Sequence, residues 1–169
     1  MSEIKDFLPG DYVDRLEQIN QFFCGFVPHN KALALQVIEF SPGVATIRLP
    51  YAPHLVGNPE SGVLHGGAIT SLLDAASGAC VFLRLMKPIP VATLDLRIDY
   101  LRPAEPGRDV VARAECYHLT RNVAFVRASA YHDDPAQPIA SASGTFMLQT
   151  AGTSVIERAA ALPRSESGK

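Results

Sequence analysis

Residues 65–74 combine a histidine, two adjacent glycines and a carboxylate at a spacing that could support catalysis. His65 precedes Gly66 and Gly67 at the start of an apolar run, and Asp74 follows nine residues after the histidine. The first N–H groups of a helix have no partner inside the helix, and the helix dipole is positive there. An unhindered Gly66 N–H can therefore bind a carbonyl oxygen and stabilise an oxyanion that forms on it. The glycine pair is also compatible with a tight turn and no chemistry.

Asp74 is the only acidic residue between Glu60 and Asp95, and helical spacing places it among small and polar side chains. A solvent-exposed helix face normally carries more charge, whereas this one has no lysine, arginine or glutamate before Arg84. We expect the face to admit a ligand or to pack on a second helix, and a carboxylate there can act as general base or nucleophile. The alternative is an ordinary exposed face. The face that carries Asp74 is formed by Thr70, Ser71, Ser77 and Gly78. The opposite, apolar face carries Ile69, Leu72, Leu73, Ala76, Cys80 and Leu83.

Hydrophobic periodicity predicts the elements that must position these residues. A helix is predicted over 11–25, two strands over 32–40 and 43–50, a long helix over 66–86, and four strands over 91–102, 108–119, 122–134 and 138–150. The first of those four strands should bury Leu94, Leu96, Ile98 and Tyr100 on one side. The short connections predict that consecutive strands in this group are antiparallel neighbours. One apolar helix against six strands implies an α+β fold with a sheet wrapped around a central helix.

The predicted elements form a single domain with two less regular ends. Residues 1–29 are predicted to be a helical segment that packs on a main domain over residues 30–150. Residues 151–169 are predicted to be a partly disordered tail with a helical turn at 155–162.

Composition excludes several classes of protein. The chain has 169 residues, of which 47% are hydrophobic and 19% charged, and its net charge of −2 gives no field that would attract nucleic acid or an anionic membrane. It lacks an uninterrupted run of eighteen apolar residues and a secretion signal at its start. Three widely spaced cysteines argue against a disulfide framework and predict a cytoplasmic protein. We expect no metal and no cofactor, because the five histidines have no metal-ligand spacing and no phosphate-binding loop or nucleophile elbow is present.

Three segments resemble a known family. They are NPESGVLHGGAITSLLD from residue 58, TLDLRIDYLRPA from residue 93 and TRNVAFV from residue 120. Over roughly residues 30–149 the sequence resembles the hot-dog-fold acyl-CoA thioesterases of the phenylacetic-acid-degradation type. The resemblance implies a long helix wrapped by an antiparallel sheet, and a homodimer or a dimer of dimers. It also implies an active site at the dimer interface, with the His-Gly-Gly turn from one chain and the aspartate from the other.

The resemblance assigns catalytic roles to five residues. Asp74 would be the nucleophile or the general base that activates water, and the Gly66 N–H would polarise the thioester carbonyl. His65 would support that loop, Thr93 would assist the carboxylate or the water, and Asn58 would hold the water or the substrate. The spacing after Asn58 differs from the pattern of the family. Three residues separate Asn58 from the next glycine, where the family commonly has two, so Glu60 can lie nearer the site instead.

The resemblance also assigns two segments, Tyr100–Glu105 and His118–Val123, to the coenzyme A arm. Arg102, Arg121 and Asn122 are expected to meet its phosphates. The full set of predicted substrate-binding residues is Gly67, Tyr100, Arg102, Pro103, Arg121, Asn122 and Val123.

These residues favour the hydrolysis of an acyl-CoA thioester to a free acid and coenzyme A. A thioester is already activated, so a polarising N–H, a carboxylate and a water suffice without a metal. Two alternatives remain. One is a hot-dog hydratase or dehydratase, and the other is a non-catalytic acyl-CoA-binding or regulatory module, against which the retained Asp74 and His-Gly-Gly turn argue.

Overall fold

A helical segment precedes the sheet in the chain. The computed structural model describes residues 11–87 and 89–148. Asp11 begins the first helix by accepting hydrogen bonds from the N–H groups of Val13 at 2.8 Å and Asp14 at 3.0 Å. The helix then continues as a π-helical turn to Gly25, where the sequence predicted its end. The elements of this segment are α1 (Tyr12–Asn20), the π-helical turn (Gln21–Gly25) and α2 (Pro28–Ala32).

Among the described residues, eight strands follow, and six of them form one antiparallel sheet. Its order is β1-β2-β6-β7-β8-β5, while β3 and β4 form a separate two-stranded ribbon within the predicted loop over residues 51–62. Together with the central helix described next, this sheet confirms the predicted fold class. The strands are β1 (Gln36–Ser41), β2 (Val44–Leu49), β3 (Val56–Asn58), β4 (Val63–Leu64), β5 (Val91–Tyr100), β6 (Val110–Leu119), β7 (Val123–Tyr131) and β8 (Ala140–Leu148).

The long helix α3 (Gly66–Leu85) lies against the six-stranded sheet and forms the centre of the core. All six residues predicted for its apolar face are buried. Ser77 differs from the prediction, since it was expected on the small, polar face and is 0% exposed. By length and composition α3 could cross a membrane, but 61% of the relevant window is buried inside the fold, as expected of a core helix.

Two predicted strands differ in detail from the observed ones. β1 begins at Gln36 rather than at residue 32, because α2 runs to Ala32 and Ala34 has a left-handed φ of 52°. In β5 the register shifts between Thr93 and Asp95, and a shift of one residue exchanges the two faces of a strand. Leu94, at the shift, was predicted to be buried and is 52% exposed. Tyr100, also predicted to be buried, keeps the alternation of half-buried Leu96 and Ile98 but lies at the end of the strand and is 50% exposed.

The prediction that β5 and β6 are neighbours is wrong. β5 pairs with β8, and β6 lies between β2 and β7. Instead of forming a hairpin, the connection over residues 101–109 contains Pro103 and Pro106 and crosses the end of the sheet. Buried His132 fixes this connection, since its Nε2 accepts a hydrogen bond from the Glu105 N–H at 2.9 Å and its Nδ1 donates to the Asp109 carbonyl at 2.7 Å.

The cysteines are free thiols inside the fold. Cys24, Cys80 and Cys116 are all buried, and burial raises the pKa of each thiol. The predicted tail over residues 151–169, with its helical turn, lies outside the described residues, and the domain boundary at residue 29 stays a prediction.

Candidate active site

The carboxylate of Asp74 is held by a strand that is distant in the sequence. Asp74 lies two turns into α3, and Thr93 lies near the start of β5. The Thr93 hydroxyl donates a hydrogen bond of 2.8 Å to Asp74 Oδ1. Within residues 11–87 and 89–148, no donor contacts the second oxygen, Oδ2. One oxygen is therefore fixed, and the other is available to a water or a substrate.

A cavity of about 580 Å³ opens beside Asp74. The predicted small-residue face of α3 contributes three members to its wall, Thr70, Ser71 and Gly78, so this face borders an open volume. Apart from Asp74 and His29, the lining that the described residues form carries no titratable side chain, and aromatic and aliphatic groups form most of it. The polar groups are His29, Asn30, Thr70, Ser71, Asp74 and Thr93.

The His-Gly-Gly turn forms the N-terminus of α3. His65 caps the helix, because its Nδ1 accepts a hydrogen bond of 2.9 Å from the Gly67 N–H. A Cβ on Gly67 would lie only 2.9 Å from that nitrogen. As the first helical residue, Gly66 keeps an N–H that no helical carbonyl accepts.

Tyr100 fixes the position of Gly66. Its hydroxyl donates a hydrogen bond of 2.7 Å to the Gly66 carbonyl and lies 2.8 Å from the Thr70 hydroxyl. A Cβ on Gly66 would lie 3.3 Å from the Tyr100 hydroxyl, which is a tight contact. Both glycines therefore have a packing role, in addition to any role in chemistry.

Gly66 and Asp74 of one chain do not share a cavity. Eight helical residues separate them, which corresponds to about 12 Å along the axis of α3. Gly66 borders a second cavity of about 380 Å³, next to Tyr100, Arg102 and Pro103. Gly66 and Asp74, which were predicted to act together in catalysis, therefore border different cavities within one chain.

Asn58 is the last residue of β3, directly before the turn of the β3–β4 ribbon. Its side-chain oxygen accepts a hydrogen bond of 3.0 Å from the Glu60 N–H, and its carbonyl accepts one of 2.8 Å from the Gly62 N–H. The side chain thus closes the longer loop. Neither Asn58 nor Glu60 borders the cavity at Asp74.

The residues predicted to bind coenzyme A form two groups at opposite ends of β5. Tyr100, Arg102 and Pro103 lie beside Gly66, whose neighbour Gly67 uses its N–H in the His65 cap. Arg121, Asn122 and Val123 lie at the β6–β7 turn, where the Asn122 carbonyl accepts a hydrogen bond from the Leu148 N–H. Leu148 pairs with the first residue of β5, so the two groups are about 30 Å apart along that strand.

The two arginines of these groups differ in their surroundings. Arg102 donates to the Gln137 carbonyl at 2.8 Å and lies 3.6 Å from the Glu105 carboxylate. Arg121 is exposed and forms no ion pair with any residue that the structure describes. The positive charge of Arg121 is therefore more available to a ligand than that of Arg102.

Sequence reasoning missed the N-terminal residues of the Asp74 cavity. His29 Nε2 lies 3.1 Å from the Ser71 hydroxyl, and that hydroxyl donates to the Gly67 carbonyl at 3.0 Å. Because 42 residues separate the two side chains, no local pattern links them; the only signal was the prediction that the N-terminal segment packs on the domain.

Comparisons with known proteins show the family to which the chain belongs. The sequence profile of the Thioesterase superfamily matches residues 61–139. The chain is 32% identical to the medium/long-chain acyl-CoA thioesterase YigI of Salmonella typhimurium, with 79% of this chain and 93% of that protein covered.

Two solved structures of other proteins are also similar to this chain. A protein from Pseudomonas aeruginosa is 48% identical, with a TM-score of 0.71 over 78% of this chain and 97% of that one. A variant of the phenylacetic acid degradation protein PaaI from Thermus thermophilus is 29% identical, with a TM-score of 0.62 over 71% of this chain and 97% of that one. The chain therefore belongs to the thioesterase superfamily and is an enzyme that hydrolyses thioesters.

Proposed function

We propose that the protein hydrolyses medium- or long-chain acyl-CoA thioesters and that Asp74 performs the chemistry. The observation that carries this proposal is the Asp74 carboxylate, fixed by Thr93 through one oxygen and open through the other, beside a largely apolar cavity. The chain-length class comes from the likeness to YigI, and the apolar lining supports it. The relation to the phenylacetic-acid-degradation type rests on the sequence motifs and on the likeness to PaaI.

The proposed reaction needs one carboxylate, one N–H and one water. In the base route, Asp74 Oδ2 takes a proton from the water, and the water oxygen attacks the thioester carbonyl carbon. In the nucleophile route, Asp74 Oδ2 itself attacks that carbon, and water then hydrolyses the resulting anhydride. In both routes the Gly66 N–H stabilises the oxyanion, and the carbon–sulfur bond breaks with the coenzyme A thiolate as leaving group. The thiolate takes up the proton that Asp74 removed from water in the base route, and a proton from solvent in the nucleophile route, where hydrolysis of the anhydride returns one.

We further propose that each site uses two chains. About 12 Å separates Gly66 from Asp74 within one helix, which is too far for both to act on one carbonyl. β5 is a ten-residue edge strand, and no strand among the described residues pairs with its outer side; such an edge favours pairing with another strand. Exposed Leu94 and Leu101 at this edge, 52% and 57% exposed, also support a homodimer.

The remaining site residues have supporting roles in this proposal. His65 holds the turn as the helix cap, and Thr93 orients Asp74. Arg121 is the better candidate for a phosphate contact, because the charge of Arg102 is already paired with Glu105.

The test is thiol release from acyl-CoA substrates of four to sixteen carbons, measured with the wild-type protein and with Asp74→Asn. We expect turnover by the wild type and a loss of at least about a hundredfold in the variant, with unchanged melting temperature. Calorimetric binding of an acyl-CoA to the variant shows that its substrate site is intact. Binding by the wild type without thiol release would instead indicate a binding module, and loss of enoyl-CoA absorbance without thiol release would indicate a hydratase.

A further inference from the structure

The N-terminal segment supplies part of the wall of the Asp74 cavity. Phe22 and Phe23 come from the π-helical turn, and Val27 and His29 come from the residues around the start of α2. All of them lie outside residues 61–139, the part of the chain that matches the superfamily profile. The segment therefore adds side chains to the site that the matched part does not contain.

Three aromatic rings meet at the end of the cavity away from Asp74. The ring centroids of Phe22 and Phe82 are 5.2 Å apart and their planes are inclined by 27°, while Phe23 meets both rings edge-on at 5.1 and 5.2 Å. Contacts of this geometry form a stable cluster. We call these three residues the aromatic cap.

Gly78 leaves space between the carboxylate and the aromatic cap. It lies one turn beyond Asp74 on α3 and lines the cavity. A Cβ built on Gly78 meets nothing within 4 Å, so a side chain there would project into open volume. Glycine weakens a helix interior, and its place here leaves room for a ligand.

We infer that Gly78 and the aromatic cap set the length of acyl chain that the enzyme accepts. This inference rests on the proposed function. Eight helical residues, or about 12 Å, separate Asp74 from Phe82. A carbon–carbon bond is about 1.5 Å long and advances an extended zigzag chain by about 1.3 Å, so a chain on the order of ten carbons covers that distance. Shorter chains leave the cap uncovered, and longer chains must displace it.

The experiment measures kcat/KM for saturated acyl-CoA substrates from four to sixteen carbons. Gly78→Leu fills the middle of the cavity, and we expect the ratio of twelve-carbon to four-carbon kcat/KM to fall about tenfold or more. Gly78→Ala should produce a smaller change in the same direction. Phe22→Ala opens the cap, and the preferred length should move to longer chains.

Phe26→Ala is the matched control. Phe26 lies next to the π-helical turn, is 50% exposed and does not line the cavity, so the length profile of this variant should equal that of the wild type. Phe22→Leu and the two Gly78 variants keep the test valid if Phe22→Ala does not fold. An unchanged profile in the folded Gly78→Leu variant would overturn the inference while the proposed function stands. Absence of thiol release from every substrate by the wild type would instead refute the proposed function.

Discussion

The hydroxyl of Thr93 lies 2.8 Å from Oδ1 of Asp74, although nineteen residues separate the two in sequence. The contact joins the middle of the central helix to an edge strand. It fixes the carboxylate with one oxygen towards β5, so that the other is presented to the cavity. A hydrogen bond to an ionised group is stronger than one between neutral groups.

Thr93→Val tests this contact, because valine keeps the shape and removes the hydroxyl. We expect kcat to fall about tenfold or more, with a small change in melting temperature. Thr93→Ser keeps the donor and should retain most of the activity. If Thr93→Val is as active as the wild type, the hydroxyl does not position Asp74 for turnover.

A second prediction concerns Tyr100, which donates a 2.7 Å hydrogen bond to the Gly66 carbonyl. Tyr100→Phe keeps the ring and loses that bond, so the helix N-terminus is held less firmly and kcat should fall about tenfold. A higher KM with unchanged kcat would instead assign Tyr100 to substrate binding alone. Tyr117→Phe is the control, since Tyr117 is 54% exposed and lies on β6 away from both cavities.

A third prediction concerns stability. The Ser77 hydroxyl is fully buried, and no partner for it is found in the described part of the chain. Ser77→Ala removes this unsatisfied group and adds helix propensity, so the free energy of unfolding should rise by about 1 kcal/mol. Ser71→Ala is the matched control on the same helix. It loses the bond to the Gly67 carbonyl, so chemical denaturation should show no such gain. A large destabilisation by Ser77→Ala would mean that its hydroxyl has a partner, such as a buried water.

The sequence predicted the order of the main elements and the buried face of α3, because long hydrophobic patterns determine both. The register shift in β5 and the crossing of residues 101–109 could not be predicted, since they depend on pairing between distant strands. The pairing of β5 with β8 is an example of such a contact between distant strands.

In the candidate site, too, local patterns were predicted and contacts between distant residues were not. The sequence singled out Asp74 and Gly66 by their local surroundings, and it reached Thr93 through the family resemblance. It did not identify His29, Phe22 or Phe23, because their neighbours on α3 are more than forty residues away in the chain. It also placed Ser77 on the open face, since a helical wheel does not show where the sheet ends.

The most direct test of the two-chain site is restoration of activity by mixing two inactive variants. Asp74→Asn removes the carboxylate, and Gly66→Val places bulk against Tyr100 and the N–H, where even a Cβ would lie 3.3 Å from the tyrosine hydroxyl. Both chains are unfolded together and refolded, and each is also refolded alone as the control. A heterodimer then contains one site with both changes and one site with neither.

Random pairing makes about half of the dimers mixed, so thiol release from the mixture should reach about a quarter of the wild-type rate. Mass spectrometry of the intact dimers establishes that the mixed species is present. If the mixture contains heterodimers and remains as inactive as its parents, Asp74 and Gly66 of different chains do not form one site, and the proposed mechanism is wrong.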